Sequence, residues 1–284
     1  MKKIFLFGLL IFLGFLTWRV TTKQPDLKNK LQITFFDIGQ GDATLISFPN
    51  GEQMLIDCAK DARVLSALGR ALFFSDRTID YLVVTHPDLD HYGGCTDVLD
   101  RFSILNLVTN GVESNLSLQW QAFLEAVNLE QANKVWIKKE TEWKFGSTTI
   151  HFIYPNKDLP KGVSDNNSSI AFIVSLGEKD VLFLGDVEAE VEKYLIGEYP
   201  AELDVEVLKV AHHGSKNSTL SEFLNVVTPE QAIISVGAEN SYGHPHARVL
   251  RRLQRIGAQI WRTDISGDIL LEMDEENIRI KSQF

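Results

Sequence analysis

Cysteine is scarce in this chain of 284 residues, which contains only Cys58 and Cys95. Neither residue has the spacing of a zinc-binding cysteine pair or of a lipoprotein signal, so the sequence excludes a purely structural thiolate site for zinc. We expect two buried thiols, because the sequence gives no distance between them, although an even pair could form a disulfide in an exported protein.

Repeats and linkers are also absent from residues 31–284. This region has no low-complexity tract, no Pro/Gly-rich linker and no short-period repeat, which excludes solenoids and repeat arrays. A hydrophobic content of 44% and a charged content of 23% are ordinary for a globular protein. Because the motifs with chemical potential extend from Asp57 to His246 and one site needs them all, the sequence predicts one catalytic domain over residues 31–284.

An excess of positive charge is lacking as well. The net charge is −10, and it becomes −13 without residues 1–22, which carry three basic and no acidic side chains. A polyanion is repelled by such a surface unless positive charge is concentrated locally. One predicted helix offers that concentration, as either a solvated face or a track for a nucleic-acid backbone, and its four arginines share one face at i, i+3, i+4 and i+7: Arg248, Arg251, Arg252 and Arg255.

Long apolar runs are confined to the N-terminus. Lys2 and Lys3 precede a largely apolar run of 15 residues, and Arg19 closes it. At about 1.5 Å per residue this run is short for a hydrocarbon core of about 30 Å, which favours a signal peptide. No A-x-A cleavage site follows, so a single membrane anchor in residues 1–22 stays open. Both alternatives predict that residues 31–284 act outside the cytoplasm, with residues 23–30 as a tether.

What the sequence does contain is a dense group of side chains that can bind metal. His86, Asp88, Asp90 and His91 lie within six residues and directly follow the apolar run 81–85, which is predicted to be a buried strand. The carboxyl end of a strand is the expected place for a binding site. Carboxylates mixed with imidazoles suit Zn²⁺, Mn²⁺ or Fe.

Three further predicted strands end in the same way. Asp186 follows the apolar segment 180–185, where it could also cap a helix. Several loops of this kind at one end of a sheet are how a metal-dependent active site is assembled. The other two strands, 205–211 and 233–237, lead to His212 and His213, and to Asn240, His244 and His246.

In their order, these motifs resemble the metallo-β-lactamase superfamily, and most closely the extracellular hydrolase domain of the ComEC/Rec2 competence (DNA-uptake) proteins. The segment from Phe35 to Ala43 looks like the opening signature of that branch, and Leu55 to Asp57 looks like the first acidic motif of the superfamily. The resemblance implies an α/β fold, the αββα sandwich, which agrees with many predicted strands and with helices predicted near 61–74, 117–128, 187–197, 219–226 and 246–256. The later motifs follow in the family's order at Thr85–Gly94, Gly185–Asp186, Leu208–Ser218, Ser235–His246 and Arg262–Asp264.

The resemblance also implies roles for these residues and a cofactor of one or two divalent transition-metal ions, Mn or Zn, with no organic cofactor. His86 and Asp88 would bind one ion, and Asp90, His91 and His213 the other, with Asp186 bridging the two. Asp57 would orient a ligand imidazole, and His212 would either support a ligand or take the place of His213. Asp90, His213 and His244 are expected to act in catalysis, and the candidates for contacting phosphate oxygens or protonating the leaving group are Ser215, Lys216, Asn240 and His244.

Two departures from the family pattern change the metal ligands that the resemblance implies. The usual second histidine of H-x-H-x-D-H is Asp88, which argues against a true β-lactamase. The usual third-motif histidine is missing, because His151 lies inside a predicted strand. The Asn/Ser-rich segment 164–169 stands in its place, so Asp165 is the candidate ligand there and the first metal site is expected to be weaker.

The implied reaction is hydrolysis of phosphodiester bonds by a metal-activated hydroxide, with DNA as the substrate. One alternative is a phosphodiesterase of the cell envelope that acts on a phosphocholine or teichoic-acid linkage and needs no basic track. Another is a non-catalytic module that binds nucleic acid at the membrane. The non-catalytic alternative is disfavoured, because Asp90, His91, Asp186 and His213 are all present.

Overall fold

The structure is a computed structural model that describes residues 30–112 and 117–283. The predicted segment 1–22 and nearly all of the tether predicted over 23–30 lie outside the described residues. Among the helices that the structure describes, none has both the length and the apolar character needed to span a bilayer.

Within the described residues, eight strands form the first sheet, in the spatial order β15-β14-β1-β2-β3-β4-β5-β6. The strands from β3 to β6 are parallel, and the remaining neighbours pair antiparallel. Their bounds are β1 (Leu31–Phe35), β2 (Thr44–Ser47), β3 (Gln53–Ile56), β4 (Thr78–Val83), β5 (Ser103–Thr109), β6 (Asn133–Trp136), β14 (Asp268–Met273) and β15 (Ile278–Gln283).

In the same described part of the chain, seven strands form the second sheet, in the order β13-β12-β11-β10-β9-β8-β7. The strands from β10 to β13 are parallel, so their carboxyl ends lie on one edge of the sheet. Their bounds are β7 (Thr141–Phe145), β8 (Thr148–Tyr154), β9 (Ala171–Leu176), β10 (Lys179–Phe183), β11 (Val207–Lys209), β12 (Gln231–Ile234) and β13 (Gln259–Arg262).

The described α-helices cover the outer faces of the two sheets. The five predicted helices are present, and three short ones add to them. Their bounds are α1 (Arg63–Ala71), α2 (Leu89–Tyr92), α3 (Cys95–Leu99), α4 (Leu118–Leu129), α5 (Ala189–Glu198), α6 (Ser221–Val227), α7 (Ala247–Arg255) and α8 (Thr263–Ser266).

The apolar core has three layers, one between the sheets and one under each set of helices. Between the sheets, the ring of Phe183 stacks on those of Phe35 and Phe172. Each such buried phenylalanine contributes on the order of 2 to 3 kcal/mol by leaving water. Outside that layer, α1 to α4 pack on the first sheet and α5 to α7 on the second. The predicted αββα sandwich is therefore confirmed.

The sequence analysis missed the strands β7 and β15. Both lie on an edge of a sheet, and each interleaves charged residues with apolar ones, as edge strands commonly do. Short segments of this kind have little of the apolar character by which the central strands were found.

The expectation of two buried thiols is wrong, because Cys58 and Cys95 form a disulfide. Cys58 follows directly on the strand-end residue Asp57, and Cys95 begins α3. The bond became possible because β3 and β4 are parallel neighbours, which brings the segments after their carboxyl ends together. That proximity is a property of the sheet and could not be obtained from the spacing of two residues.

Candidate metal centre

Five strand ends bring the predicted residues to one place. Asp57 follows β3, the His86–His91 loop follows β4, and Asp186, His212 and His213 follow β10 and β11. The first two strands belong to the eight-stranded sheet and the other two to the seven-stranded sheet, so the site lies where the carboxyl ends of both sheets meet. The loop after β12 adds Ser235 and the residues near His244.

His91 is held from behind by Asp57. Its Nδ1–H donates to Asp57 Oδ2 at 2.8 Å, and both side chains are buried. The same carboxylate accepts hydrogen bonds from the N–H and the hydroxyl of Thr85, each at 2.8 Å. With its Nδ1 occupied, His91 turns a buried Nε2 with no hydrogen-bond partner toward the centre of the site. This is the orientation that a histidine ligand of a metal adopts.

His86 has the same tautomer for a different reason. The hydroxyl of Thr85 gives its only proton to Asp57, so it accepts from the Nδ1–H of His86 at 3.0 Å. The Nε2 of His86 is again buried without a partner. Burial lowers the pKa of His86 to about 3, with the neighbouring His91 adding to the shift. His86 is therefore neutral near pH 7 and offers a lone pair.

His213 reaches the same arrangement from the other sheet. Its Nδ1–H donates to the backbone carbonyl of Ser235 at 3.0 Å, and a carbonyl can only accept. Its Nε2 is the third buried imidazole nitrogen without a partner, and it lies 3.4 Å from Asp90 Oδ2 and 3.5 Å from Asp186 Oδ2. Three Nε2 atoms thus face one small volume. Burial lowers the pKa of His91 and of His213, but the carboxylate of Asp186 outweighs it and raises both, so a metal ion would displace a proton from these two rings.

Asp186 lies at the centre of this volume. Its Oδ2 is 3.4 Å from the Nε2 of His91, 3.8 Å from that of His212 and 4.0 Å from that of His86, while its Oδ1 is buried without a partner. Burial raises the pKa of Asp186, but the imidazoles of His91 and His213 outweigh it and hold that pKa well below its usual range. An ionised carboxylate in this position can bridge two cations.

Asp88 and Asp90 flank the three histidines. Asp88 Oδ2 is 3.7 Å from His86 Nε2, and burial together with nearby carboxylates, including Asp165, raises the pKa of Asp88 to about 6. Burial also raises the pKa of Asp90, but His213 and His91 reverse the effect and lower it below its usual range. Asp90 therefore already carries the charge a metal ligand needs, whereas Asp88 gains its charge in full only above about pH 6.

The donor set fits divalent transition-metal ions. Within the described part of the chain, ligand atoms of His86, His91 and Asp186 lie within 4.8 Å of one another, and so do those of Asp90, His91 and His213. Each group combines imidazole nitrogens with a carboxylate oxygen, and the second contains the three residues predicted for the second ion. The orphaned nitrogens are costly for a fold to bury unless a ligand pairs with them.

Asp165 is not in either of these groups. It lies half-buried at the start of a 3₁₀ turn, Asn166–Ser168, close enough to Asp88 to raise its pKa. The rest of the Asn/Ser-rich segment supports the loop of Asp186: Ser169 Oγ accepts from the N–H of Asp186 at 3.0 Å, and Asn167 Oδ1 accepts from that of Glu188 at 2.8 Å. His151 lies in β8 beside Glu140, as expected of a strand residue.

A sharp backbone turn separates the two neighbouring histidines after β11. His212 and His213 both have φ near +51°, in the left-handed region that residues other than glycine seldom adopt. This turn buries His213 and leaves His212 on the rim, 19% exposed, with its Nδ1 3.7 Å from Glu188. Of the two candidates left open by the sequence, His213 has the ligand geometry and His212 lies on the exposed side of Asp186.

Glu192 and Arg252 hold the segment that follows this turn. The buried carboxylate of Glu192 accepts from the N–H groups of Thr219 and Leu220, and Arg252 donates to the carbonyls of Ser218 and Thr219. All four arginines lie on the predicted helix, but Arg252 is held by these contacts, so the expectation that it belongs to a solvated face or a nucleic-acid track is wrong for this residue. The helix carries three exposed arginines, Arg248, Arg251 and Arg255.

The loop after β12 is organised by Asn240. Its Oδ1 accepts from the N–H of His244, and its Nδ2 donates to the carbonyls of Gly237 and His244, so the side chain is used within the loop. Ser215 Oγ likewise accepts from the N–H of Asn217 in a turn. For both residues the turn-stabilising alternative describes the contacts better than phosphate binding does. Lys216 is exposed beside them.

His244 faces the metal-binding group. Its ring centre is 5.6 Å from that of His212 and 6.4 Å from that of His213, and its Nδ1 is buried without a partner. Burial, helped by the neighbouring imidazoles, lowers its pKa to about 4. The neutral ring is placed to exchange a hydrogen bond with a bound substrate.

A cavity of 490 Å³ opens at the loop that precedes Asp165. The rings of Tyr154 and Tyr194 form part of its wall, together with Lys157, Lys161 and two carboxylates, Asp158 and Glu190. It lies at the carboxyl end of β8, which runs parallel to β10 two strands away. Two strand spacings place it about 10 Å from the end of β10.

Asp42 and Lys209 are buried at the site, and the sequence analysis assigned neither a role. Asp42 belongs to two further groups of side chains whose ligand atoms lie within 4.8 Å of one another. The first group contains Asp57 and His91, and the second contains Asp186 and His213. The carboxylate of Asp42 accepts from Lys209 Nζ at 2.8 Å. Two features of the sequence could have indicated a role for this pair. Asp42 lies inside the opening signature, and Lys209 ends an otherwise apolar strand, β11, just before the two histidines.

The chain was compared with protein families and with known proteins. Residues 36–238 match the family model described as the metallo-beta-lactamase superfamily. The chain is 31% identical over 263 residues to ComE operon protein 3 of Bacillus subtilis, a match that covers 86% of this chain and 33% of that protein. It is 30% identical over 261 residues to competence protein ComA of Neisseria gonorrhoeae, covering 92% of this chain and 34% of that protein. The chain thus spans about a third of the length of these relatives.

Among solved structures, CmlA, a diiron beta-hydroxylase from Streptomyces venezuelae, has a similar fold. The TM-score is 0.52 at 13% sequence identity, and the match covers 87% of this chain and 54% of that one. At this identity the likeness concerns the fold alone.

Proposed function

Because this chain belongs to the metallo-β-lactamase superfamily, whose members are generally metal-dependent hydrolases, we propose that its metal centre hydrolyses phosphodiester bonds and that its substrate is DNA. The observation that carries the proposal is the set of three buried imidazole nitrogens, on His86, His91 and His213, that face two carboxylates and have no hydrogen-bond partner among the residues that the structure describes.

The donor set offers enough ligands for a pair of ions. His86 and Asp88 would hold one, and Asp90, His91 and His213 the other, with Asp186 close to both groups of ligands. His91 would bind only one of them, because its Nδ1–H is bonded to Asp57 and its Nε2 has a single lone pair. Two Mn or Zn ions would polarise the phosphoryl oxygen and lower the pKa of an attacking water, which is the chemistry of phosphoester hydrolysis.

The protein's own residues would orient and exchange protons around that centre. Asp57 fixes the ring of His91, and the carbonyl of Ser235 fixes that of His213, so both Nε2 atoms keep their direction during the reaction. His244 is neutral at pH 7 and can donate one N–H to a phosphate oxygen. His212, on the rim, can contact the same group from the other side of Asp186.

Two features support a nucleic acid as the substrate. Relatives about 30% identical to this chain include a protein named for competence, ComA of Neisseria gonorrhoeae. The cavity beside the Asp165 loop contains Lys157 and Lys161, which can meet a phosphate, and the ring of Tyr194, over which Lys157 lies at 4.6 Å, although Asp158 and Glu190 reduce its positive charge. The exposed arginines of α7 begin two residues after His246 and would extend the contact. The envelope phosphoester alternative uses the same chemistry without this track.

A substrate panel tests the proposal. Residues 23–284 are assayed for metal content and for turnover of bis-p-nitrophenyl phosphate, single-stranded DNA, a phosphocholine ester and teichoic acid. We expect one to two ions of Mn or Zn per chain, turnover of the generic diester and cleavage of DNA. A chain with no bound or titratable transition metal, or with no phosphodiesterase activity, contradicts the proposal. Cleavage of the envelope esters but not of DNA supports the alternative substrate.

A pair of histidine variants provides the matched control. His91→Ala removes a candidate ligand from the middle of the donor set, whereas His151→Ala removes a histidine that pairs with Glu140 in β8, away from the donor set. We expect the first variant to lose metal and activity and the second to keep both. Equal losses in the two variants would show that the effect comes from the fold and would not support a metal centre at His91.

A further inference from the structure

A buried ion pair joins the two sheets directly behind the metal centre. Lys209 Nζ donates to Asp42 Oδ2 at 2.8 Å, and the residues are 3% and 6% exposed. Asp42 belongs to the loop after β1 in the eight-stranded sheet, and Lys209 ends β11 in the seven-stranded sheet. Taking two charges out of water is expensive and gives little net stability, so a pair buried at this depth calls for another explanation.

Asp42 contacts the ligands that come from both sheets. Its N–H donates to the carbonyl of Asp90 at 3.1 Å, which fixes the backbone of the β4 loop. Its Oδ1 lies 3.7 Å from Nδ1 of His213, the ring presented by the opposite sheet, and has no hydrogen-bond partner of its own. One residue therefore lies against both halves of the donor set.

Gly41 makes this close approach possible. Its φ is +122°, and a Cβ at this position would come within 2.3 Å of the carbonyl oxygen of Asp90. The chain can therefore pass over the Asp90 loop only with glycine here. This requirement explains why glycine precedes Asp42 in the opening signature. Neither residue has a role in the hydrolysis proposed above.

Lys209 balances the charge of Asp42. The site already contains the carboxylates of Asp57, Asp88, Asp90 and Asp186, and an unpaired Asp42 would be a fifth anion within reach of the metal-binding atoms. With Lys209 in place, the carboxylate is neutralised from behind and its direction is fixed. Without Lys209, it could turn toward the cations and disturb the ligand geometry that Asp90 and His213 provide.

We propose that Asp42 and Lys209 are positioning residues that set the separation between the ligands of the two sheets and keep Asp42 out of the coordination of the second metal ion. This role rests on the proposed metal centre. It also predicts that the pair matters more for the quality of the second site, which contains Asp90 and His213, than for the stability of the fold.

Four variants test this role: Lys209→Met, Lys209→Arg, Asp42→Asn/Lys209→Met and the control Lys179→Met. The control removes a lysine of the same sheet that pairs with Glu206 at 3.2 Å in a partly exposed position. Metal affinity and stoichiometry are measured by titration, the geometry by the visible spectrum of the Co²⁺-loaded protein, and the fold by circular dichroism.

We expect Lys209→Met to weaken the second metal by about 10- to 100-fold, the range found when groups that support metal ligands are removed. Its Co²⁺ spectrum should change, while Lys209→Arg recovers most of the affinity and Lys179→Met matches the wild type. The double variant leaves no unpaired buried charge, so it should fold even if Lys209→Met does not. It should still bind the second metal weakly, because the charged pair that links the two sheets at the site is gone.

Wild-type affinity and a wild-type spectrum in the double variant would overturn this role and leave the pair as a purely structural contact. A wild-type protein that binds no metal would instead refute the proposed function, and with it the role of the pair.

Discussion

The disulfide between Cys58 and Cys95 is expected to contribute about 4 kcal/mol to the free energy of unfolding. The two residues are 37 positions apart, and in the chain-entropy model a cross-link that closes a loop of that size removes about 4 kcal/mol of conformational entropy from the unfolded chain at 25 °C. The disulfide also lies next to the loop that contains His86 to His91, because the N–H of Cys58 donates to the carbonyl of His91 at 2.6 Å. Its loss should therefore lower metal affinity together with stability.

Urea denaturation of three samples measures this contribution. The oxidised wild type, the wild type under a thiol reductant and Cys58→Ala/Cys95→Ala are unfolded at equal metal concentration. The difference between the first two isolates the cross-link, since no atom is removed from the core, and the Ala variant adds the cost of two small cavities. A difference below about 1 kcal/mol between the oxidised and reduced wild type would refute the reasoning, because the entropy of a closed loop of this size should be several times larger.

Four further predictions follow from the same geometry. Asp90→Ala or His91→Ala should lose turnover of bis-p-nitrophenyl phosphate by orders of magnitude and Asp165→Ala much less, and equal losses would make Asp165 a full ligand. Burial raises the pKa of Glu192 to about 7 despite the N–H groups it accepts from, so the folded state binds this proton more tightly than the unfolded one. Stability should therefore fall by about 3 kcal/mol as the pH rises from about 4.5 to 7, at about 1.4 kcal/mol per pKa unit, and thermal unfolding of Glu192→Gln across that range should show a flatter dependence. The triple variant Arg248→Glu/Arg251→Glu/Arg255→Glu should lose DNA cleavage and the salt dependence of DNA binding while it keeps turnover of the small diester, and unchanged cleavage at moderate salt would leave the arginines as a solvated face. A reporter that works only outside the cytoplasm, fused after Phe284, should be active, and activity of cytoplasmic reporters alone would contradict the proposed location.

Site residues could be predicted from the sequence where one continuous segment contained both an apolar strand and the metal-binding side chains that follow it. The loops of His86, Asp186 and His213 each follow an apolar run that ends abruptly, so the run predicts a strand and the polar residues after it predict the site edge. The αββα sandwich followed from many such strands and from the family resemblance. These features are local, and a linear pattern can express them.

Features that depend on two distant segments could not be predicted in this way. Asp42 and Lys209 are 167 positions apart, and only the packing of one sheet on the other shows that they form a pair. The inward turn of Arg252 depends equally on where Ser218 and Thr219 lie, because helical spacing gives the face of a residue and says nothing of the loop that packs against it.

The direction of β1 determines where the N-terminal segment joins the domain relative to the candidate site. This strand runs parallel to β3, because each of them pairs antiparallel with β2, so Leu31 begins at the sheet edge opposite to the edge that holds Asp57. If residues 1–22 anchor the chain, as one of our two proposals for that segment states, the polypeptide joins the domain at its far side. Five residues of strand then separate the point of attachment from the site edge, a distance of about 17 Å. The site edge would then lie on the side of the sheet away from the point of attachment.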